Sequence, residues 1–172
     1  MKPIMLKKLI ILFFVIAPLA LVAQESKIAY INSQELFGAM PELGAIETQM
    51  NTKQEQVKKN ATALETEYNN KMEEFKKSDD EITEAILLDR QKQIQQIEER
   101  YQAFMQNSEK EIRELQQKLL APVQEKLQKA IQAVGEEKGY IYILDLASGS
   151  VAYHSPTAID ANPLVKAKLG IN

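Results

Sequence analysis

Residues 50–75, MNTKQEQVKKNATALETEYNNKMEEF, decide the architecture of this chain. Met50, Val57 and Leu64 recur every seven residues, and Ala61, Tyr68 and Phe75 form a second seven-residue series offset from the first. A helix with this spacing gathers its apolar side chains into one stripe, the pattern of a coiled-coil seam, and leaves the intervening Lys, Glu, Gln and Asn in water. A later stripe runs through Ile94, Ile97, Tyr101 and Phe104, skips at Ser108, and resumes at Ile112, Leu115 and Leu119. It continues through Leu127, Ile131 and Val134. From Ala45 to Val134 there is no glycine and only one proline, Pro122, which predicts long helices and excludes a loop-rich globular domain.

The two stripes are separated by Lys76-Lys77-Ser78-Asp79-Asp80-Glu81. Ser78 and Glu81 have the spacing of a capping box, and the basic pair followed by acids suits the C-terminus of one helix and the N-terminus of the next. A tight turn near residues 78–80 therefore folds the helices back as an antiparallel hairpin over residues 41–134. At 1.5 Å per residue the first helix is roughly 55 Å long and the second roughly 80 Å, so the second overshoots its partner. Pro122 falls in the overshoot and is expected to kink or loosen it, because it removes a backbone donor and crowds the preceding turn.

Residues 24–40 and 135–172 flank this arm and read as a small β-bearing body. Lys27 to Asn32, Tyr140 to Leu146 and Ser150 to Ser155 have strand composition, with Ala147-Ser148-Gly149 as a hairpin loop between the last two. Asn162-Pro163 opens a final short helix, Asn as cap and Pro at its first position, that ends near Gly170. About 50 residues of body are marginal for a self-sufficient core, so oligomerisation is expected. The fold class is α+β, mostly α.

The N-terminus carries Lys2, Lys7 and Lys8 ahead of an apolar run from Leu9 to Ala17, and small residues precede Gln24. That is the layout of a signal peptide over residues 1–23, too short and too interrupted by Pro18 for a membrane span. Its removal takes away three lysines and no acid, which changes the net charge from −3 to −6. An acidic mature chain is poorly suited to nucleic acid or anionic lipid, both held largely through Lys and Arg. The absence of cysteine excludes a disulfide framework and a lipid-modified N-terminal cysteine.

The order of parts resembles the Skp/OmpH family of periplasmic chaperones for outer-membrane proteins. The resemblance lies in a signal peptide, the first strand Lys27-Ile28-Ala29-Tyr30-Ile31-Asn32 and a long helical hairpin. It continues in Lys138-Gly139-Tyr140 leading to a strand closed by Asp145, and in the V-A-Y segment at Val151 to Tyr153. It implies a trimer with a β-barrel body and three arms around a cavity, in which unfolded outer-membrane β-barrel proteins are held without ATP. This sequence departs from the basic members of the family. From Lys71 to Lys92 five basic residues face seven acidic ones, so lipopolysaccharide binding by basic tips is not expected. Asp160-Ala161-Asn162-Pro163 also replaces the family's usual Asp-Ile-Thr type entry to the last helix.

No catalytic constellation is present: the single His154 has no cysteine or serine motif about it, and there is no glycine-rich phosphate loop. Asp79-Asp80 and Glu98-Glu99 lack calcium-loop spacing and read as solvated helix faces. No enzyme activity, cofactor or metal is expected. Near the tip Met72, Phe75, Ile82, Ile86 and Leu87 are candidates for contact with client chains, with hairpin packing as the competing role. Ile28, Tyr30, Ile141, Ile143, Val151 and Tyr153 are candidates for the trimer body. Alternation does not tell which of their faces points to the trimer axis, because residues 140–146 are apolar on both sides. The reading from another class is a structural coiled-coil spacer or adaptor of the cell envelope. As a first prediction, mass spectrometry of the exported, soluble periplasmic protein finds Gln24 at its N-terminus. An intact Met1 to Ala23 segment on a membrane-bound product would contradict it.

Overall fold

The computed structural model describes residues 27–77 and 82–171. The expected signal peptide, and the expected capping box from Ser78 to Glu81, lie outside them. Elements follow in the order β1 (Ile28–Ile31), α1 (Ser33–Gly38), α2 (Glu42–Lys76), α3 (Glu84–Lys138), β2 (Tyr142–Asp145), a 3-10 turn (Leu146–Ser148), β3 (Ile159–Asp160) and α4 (Asn162–Leu169).

α2 and α3 pack as an antiparallel pair. Cross-helix bonds record the register: Glu42 with Lys126, Lys53 with Glu111, Glu67 with Arg100, and the Glu74 carbonyl with Arg90. One set of numbers falls as the other rises. Met50, Val57, Ala61, Leu64, Tyr68 and Phe75 are half-buried along the seam, and α2 has no fully buried residue. Between the hairpin end and Leu119, α3 buries only Ile94, Ile97 and Ser108, the last at the skip in the stripe where a small side chain fits. The i,i+3 and i,i+4 ion pairs within each helix are exposed and worth little individually. α3 runs as one element through Pro122, which is exposed while Val123 beside it is buried; the Glu42–Lys126 pair places Pro122 opposite the first turn of α2 and not in the overshoot where it was expected.

The packed core lies at the base. Val123, opposite the first turn of α2, and Leu127, Ala130 and Val134 on the overshooting part of α3 meet Ala29 and Ile31 of β1, Leu36 of α1, Met40, Ala161, Val165 and Leu169 of α4, and Ile171. Leu36 and Val165 are fully buried. The base therefore has a core within one chain, supplied by helices that the strand-centred reading undercounted. α1 itself was not anticipated. Its signal was Asn32-x-x-Glu35, and the Asn32 carboxamide oxygen accepts the Glu35 N–H at 3.1 Å.

The sheet has the order β2-β1-β3, with both outer strands parallel to β1. This corrects the expected hairpin. Residues 150–155 form no strand, and the third strand is the short Ile159–Asp160. The reason is local. Asp145 accepts the Ala147 N–H at 3.0 Å, Ser148 Oγ donates to the Asp145 carbonyl at 2.6 Å, and Gly149 takes a left-handed conformation at φ 70°. The chain is thereby turned off the end of β2, and a parallel partner on the far side of β1 can be reached only by a crossover. On that crossover the His154 ring lies 4.7 Å from the Tyr30 ring.

The C-terminal ends of the three strands are tied together. Asp145 accepts the Ser33 N–H at 3.0 Å and the Ser33 hydroxyl at 2.5 Å. Asn162 does not cap its own helix as expected; Ala161 holds that position. Asn162 instead accepts the Asn32 N–H at 2.9 Å, and Asp160 accepts both the backbone and the side-chain N–H of Asn162 at 2.8 Å. Burial works to raise the Asp145 carboxyl, but the Ser33 hydroxyl and the Ser33 and Ala147 N–H groups outweigh it and hold the carboxyl below its ordinary value of 3.8. A carboxyl lowered on folding stabilises above its unfolded value and loses that contribution as pH falls through the folded one. Asp145→Ala is expected to cost about 2–3 kcal/mol at neutral pH in urea denaturation, the worth of hydrogen bonds to a charged group plus the donors left behind. The gap between variant and parent should narrow as pH drops below about 4.

Candidate functional site

Three surfaces are left when the core is removed from consideration. The first is the outer face of the sheet. β1 buries Ala29 and Ile31 against the core, so Ile28 and Tyr30 point the other way. Parallel register sets Ile28 beside Tyr142 and Tyr30 beside Leu144, which extends this face across β2. Tyr142 is 62% exposed and Leu144 41%. Neither was anticipated, because alternation within 140–146 has no apolar-free side; the register to β1 supplies what the sequence lacked. Of the expected body residues, Ile28 and Tyr30 lie on this face. Ile141, just before β2, and Tyr153, on the crossover, are exposed, and Val151 is half-buried. Ile143 belongs elsewhere: it faces inward and packs on the core of the single chain.

The second surface is the hairpin end. Met72 and Phe75 lie in the last turns of α2 and are half-buried. Ile82 and Leu87 are half-buried, whereas Ile86 is exposed. Leu88 is 69% exposed, as adjacent apolar residues on a helix require when only one can enter the seam. The Arg90 guanidinium donates to the Glu74 carbonyl at 2.8 Å and draws the two helix ends together.

The third surface is a cleft of about 540 Å³ midway along the arm, open to solvent, with Leu64 and Ile97 among the residues that line it. Here both helices carry a Glu-x-x-Tyr step, Glu65 to Tyr68 on α2 and Glu98 to Tyr101 on α3. Antiparallel packing crosses them. The Tyr101 hydroxyl donates to Glu65 at 3.1 Å, and the Tyr68 hydroxyl faces the Glu98 carboxylate. Just outside, Arg100 grips Glu67 through two nitrogens at 3.1 and 3.0 Å. Both phenols are pushed above their ordinary value of 10.0. For Tyr68 burial is the larger cause and Glu98 the next; for Tyr101 the bond to Glu65 comes first and burial second. Among the described residues no group of acids and histidines could hold a metal, and no helix is long and apolar enough to cross a membrane.

Comparison with known proteins agrees with this architecture. The family described as "Outer membrane protein (OmpH-like)" matches residues 27–169. A crystal structure from Caulobacter crescentus, described as an OmpH-like outer membrane chaperone, superposes with a TM-score of 0.70 at 22% identity. The superposition covers 83% of this chain and 82% of that one. No curated protein matches the chain significantly.

The crossed pairs make a pH prediction. A phenol whose value is raised on folding stabilises below its unfolded value and loses that contribution as pH rises through the folded one. Phenolate absorbance of the folded protein should therefore include a component that titrates above the ordinary tyrosine range. Tyr68→Phe with Tyr101→Phe should abolish it, and should remove part of the drop in thermal midpoint between about pH 8 and about pH 11.

Proposed function

We propose that this chain, which belongs to the OmpH-like family, is a periplasmic, ATP-independent holdase that keeps unfolded outer-membrane β-barrel proteins from aggregating between the arms of a trimer. The observation that carries the reading is the division of apolar surface. The inner sheet face is satisfied within one chain, while Ile28, Ile141, Tyr142, Leu144 and Tyr153 remain exposed at the base. Contiguous exposed apolar surface at one end of a soluble chain marks a site of association. β2 and β3 are both edge strands, and edges left open invite pairing with another chain. A copy seated there closes the base and leaves the arms projecting, which is the arrangement a client cavity needs. Membership in the OmpH-like family supports the chaperone role. The spacer reading draws no comparable support, since the base has no additional domain among the described residues through which to bridge partners.

The grip on clients is then apolar and dispersed. With a net charge of −6 per mature chain, acidic clients are repelled at long range, and the exposed Ile86 and Leu88 at the hairpin end offer apolar contact. Light scattering of the mature protein at micromolar concentration should report three chains, and Tyr142→Asp with Leu144→Asp should shift it to a folded, helical monomer. The purified protein should suppress aggregation of a urea-diluted outer-membrane β-barrel without ATP. Raising sodium chloride from about 50 to about 500 mM should leave affinity for an acidic client unchanged or tighter, since salt screens exposed charge and not apolar burial. A tenfold loss, about 1.4 kcal/mol, would show that charge attraction dominates instead.

A further inference from the structure

From the cleft between the crossed Glu-x-x-Tyr steps, we infer a binding site for a basic side chain, lysine or arginine, of an extended polypeptide segment with apolar neighbours. The inference rests on the holdase reading for its polypeptide ligand and adds a defined subsite to an otherwise dispersed grip. The charges come first. Three acidic side chains of the arm are matched to a cation on the partner helix: Glu42 with Lys126, Glu67 with Arg100 and Glu111 with Lys53. Glu65 and Glu98 are not. Among the described residues neither has an ion pair; Glu65 accepts the Tyr101 hydroxyl, and Glu98 faces the Tyr68 hydroxyl. Two carboxylates therefore stand at one cleft with acceptor capacity to spare, since an ionised carboxylate takes several donors and a phenol uses at most one of its acceptor sites.

The walls select among cations. Tyr68 and Tyr101 are half-buried, which restricts both rings, and the Tyr101 hydroxyl is tethered across the cleft to Glu65. Tyrosine rings attract ammonium and guanidinium groups through their faces. Leu64 and Ile97 add apolar lining, and Ile97 is only 3% exposed. A hydrated metal ion gains nothing from such walls. A lysine or arginine side chain does, because its methylene stem covers apolar surface while its head reaches the carboxylates. A volume of about 540 Å³ falls within the usual range for ligand sites and leaves room for an apolar neighbour beside the basic residue. The same Glu-x-x-Tyr step runs in opposite directions on the two helices, so an extended segment can enter in either direction. That suits a ligand recognised by composition and not by one sequence.

The test uses the full mature chain with 13C-labelled tyrosine rings, titrated with acetyl-Leu-Arg-Leu-amide and with the same peptide carrying neutral citrulline in place of arginine. The expected result is a saturable shift of the Tyr68 and Tyr101 resonances with the arginine peptide, at least tenfold weaker with citrulline, and weaker again in high salt. Glu65→Gln with Glu98→Gln retains an oxygen for each tyrosine hydroxyl and should lower arginine-peptide affinity about tenfold with helicity unchanged. Glu67→Gln removes a carboxylate outside the cleft and should leave affinity as it was. Equal affinity of the unaltered chain for the two peptides overturns the proposal, whatever the variants do, and so does equal affinity of parent and Glu65→Gln/Glu98→Gln. Aggregation suppression is measured in parallel. If it persists while the peptides fail to discriminate, the cleft proposal falls and the holdase reading stands; if it is absent while they discriminate, the reverse holds.

Discussion

Two helices in contact share one seam and cannot enclose a core. Every other feature of this protein follows from that limit. Along the arm the seam residues of α2 stop at half-burial, and the stabilisation available from apolar area is correspondingly small per turn. The arm therefore depends on the base, where α3 continues past the start of α2 and brings Leu127, Ala130 and Val134 under the sheet. A helix that is marginal in isolation is held because its last turns are packed.

The base meets its own constraint. Three parallel strands need two crossovers, and the chain uses the whole helical arm for the first and the segment carrying Tyr153 and His154 for the second. Asp145, Asn32, Asp160 and Asn162 lock the strand ends with short polar bonds, which keeps so small a sheet in register. Locking one face against α3 leaves the other face apolar and open. Stability of the single chain and the capacity to associate are thus divided between two sides of one sheet.

The midpoint of the arm departs from simple seam packing. Where leucine and isoleucine would close the helices, Tyr68 and Tyr101 place a polar end at the surface, and amphipathic rings of this kind hold a partner when their hydroxyls can find one. The reciprocal Glu-x-x-Tyr steps provide it. The repeated step was visible in the sequence as ETEY and EERY, but a seam assignment made for each tyrosine separately does not show that Glu65 serves Tyr101 of the other helix or that Glu98 faces Tyr68.

The sequence alone determined the helical hairpin, its unequal lengths, the first two strands and the final helix, because seven-residue periodicity, lack of breakers and local capping act within a few turns of chain. It also determined the acidity and the lack of cysteine. The tertiary structure decided the rest. The strand expected at Ser150 to Ser155 became a crossover because Asp145 and Gly149 turn the chain away from β2, and whether a β-prone segment finds a partner depends on residues far away in sequence. The inner and outer faces of β2 were separated only by register to β1, since Tyr142, Ile143 and Leu144 are all apolar-bodied. Asn162 gave up the capping role its position implied because Asn32, 130 residues earlier, presented an N–H that needed an acceptor. Local rules fix which segments are helical; which groups must be satisfied by one another is fixed only when the chain folds.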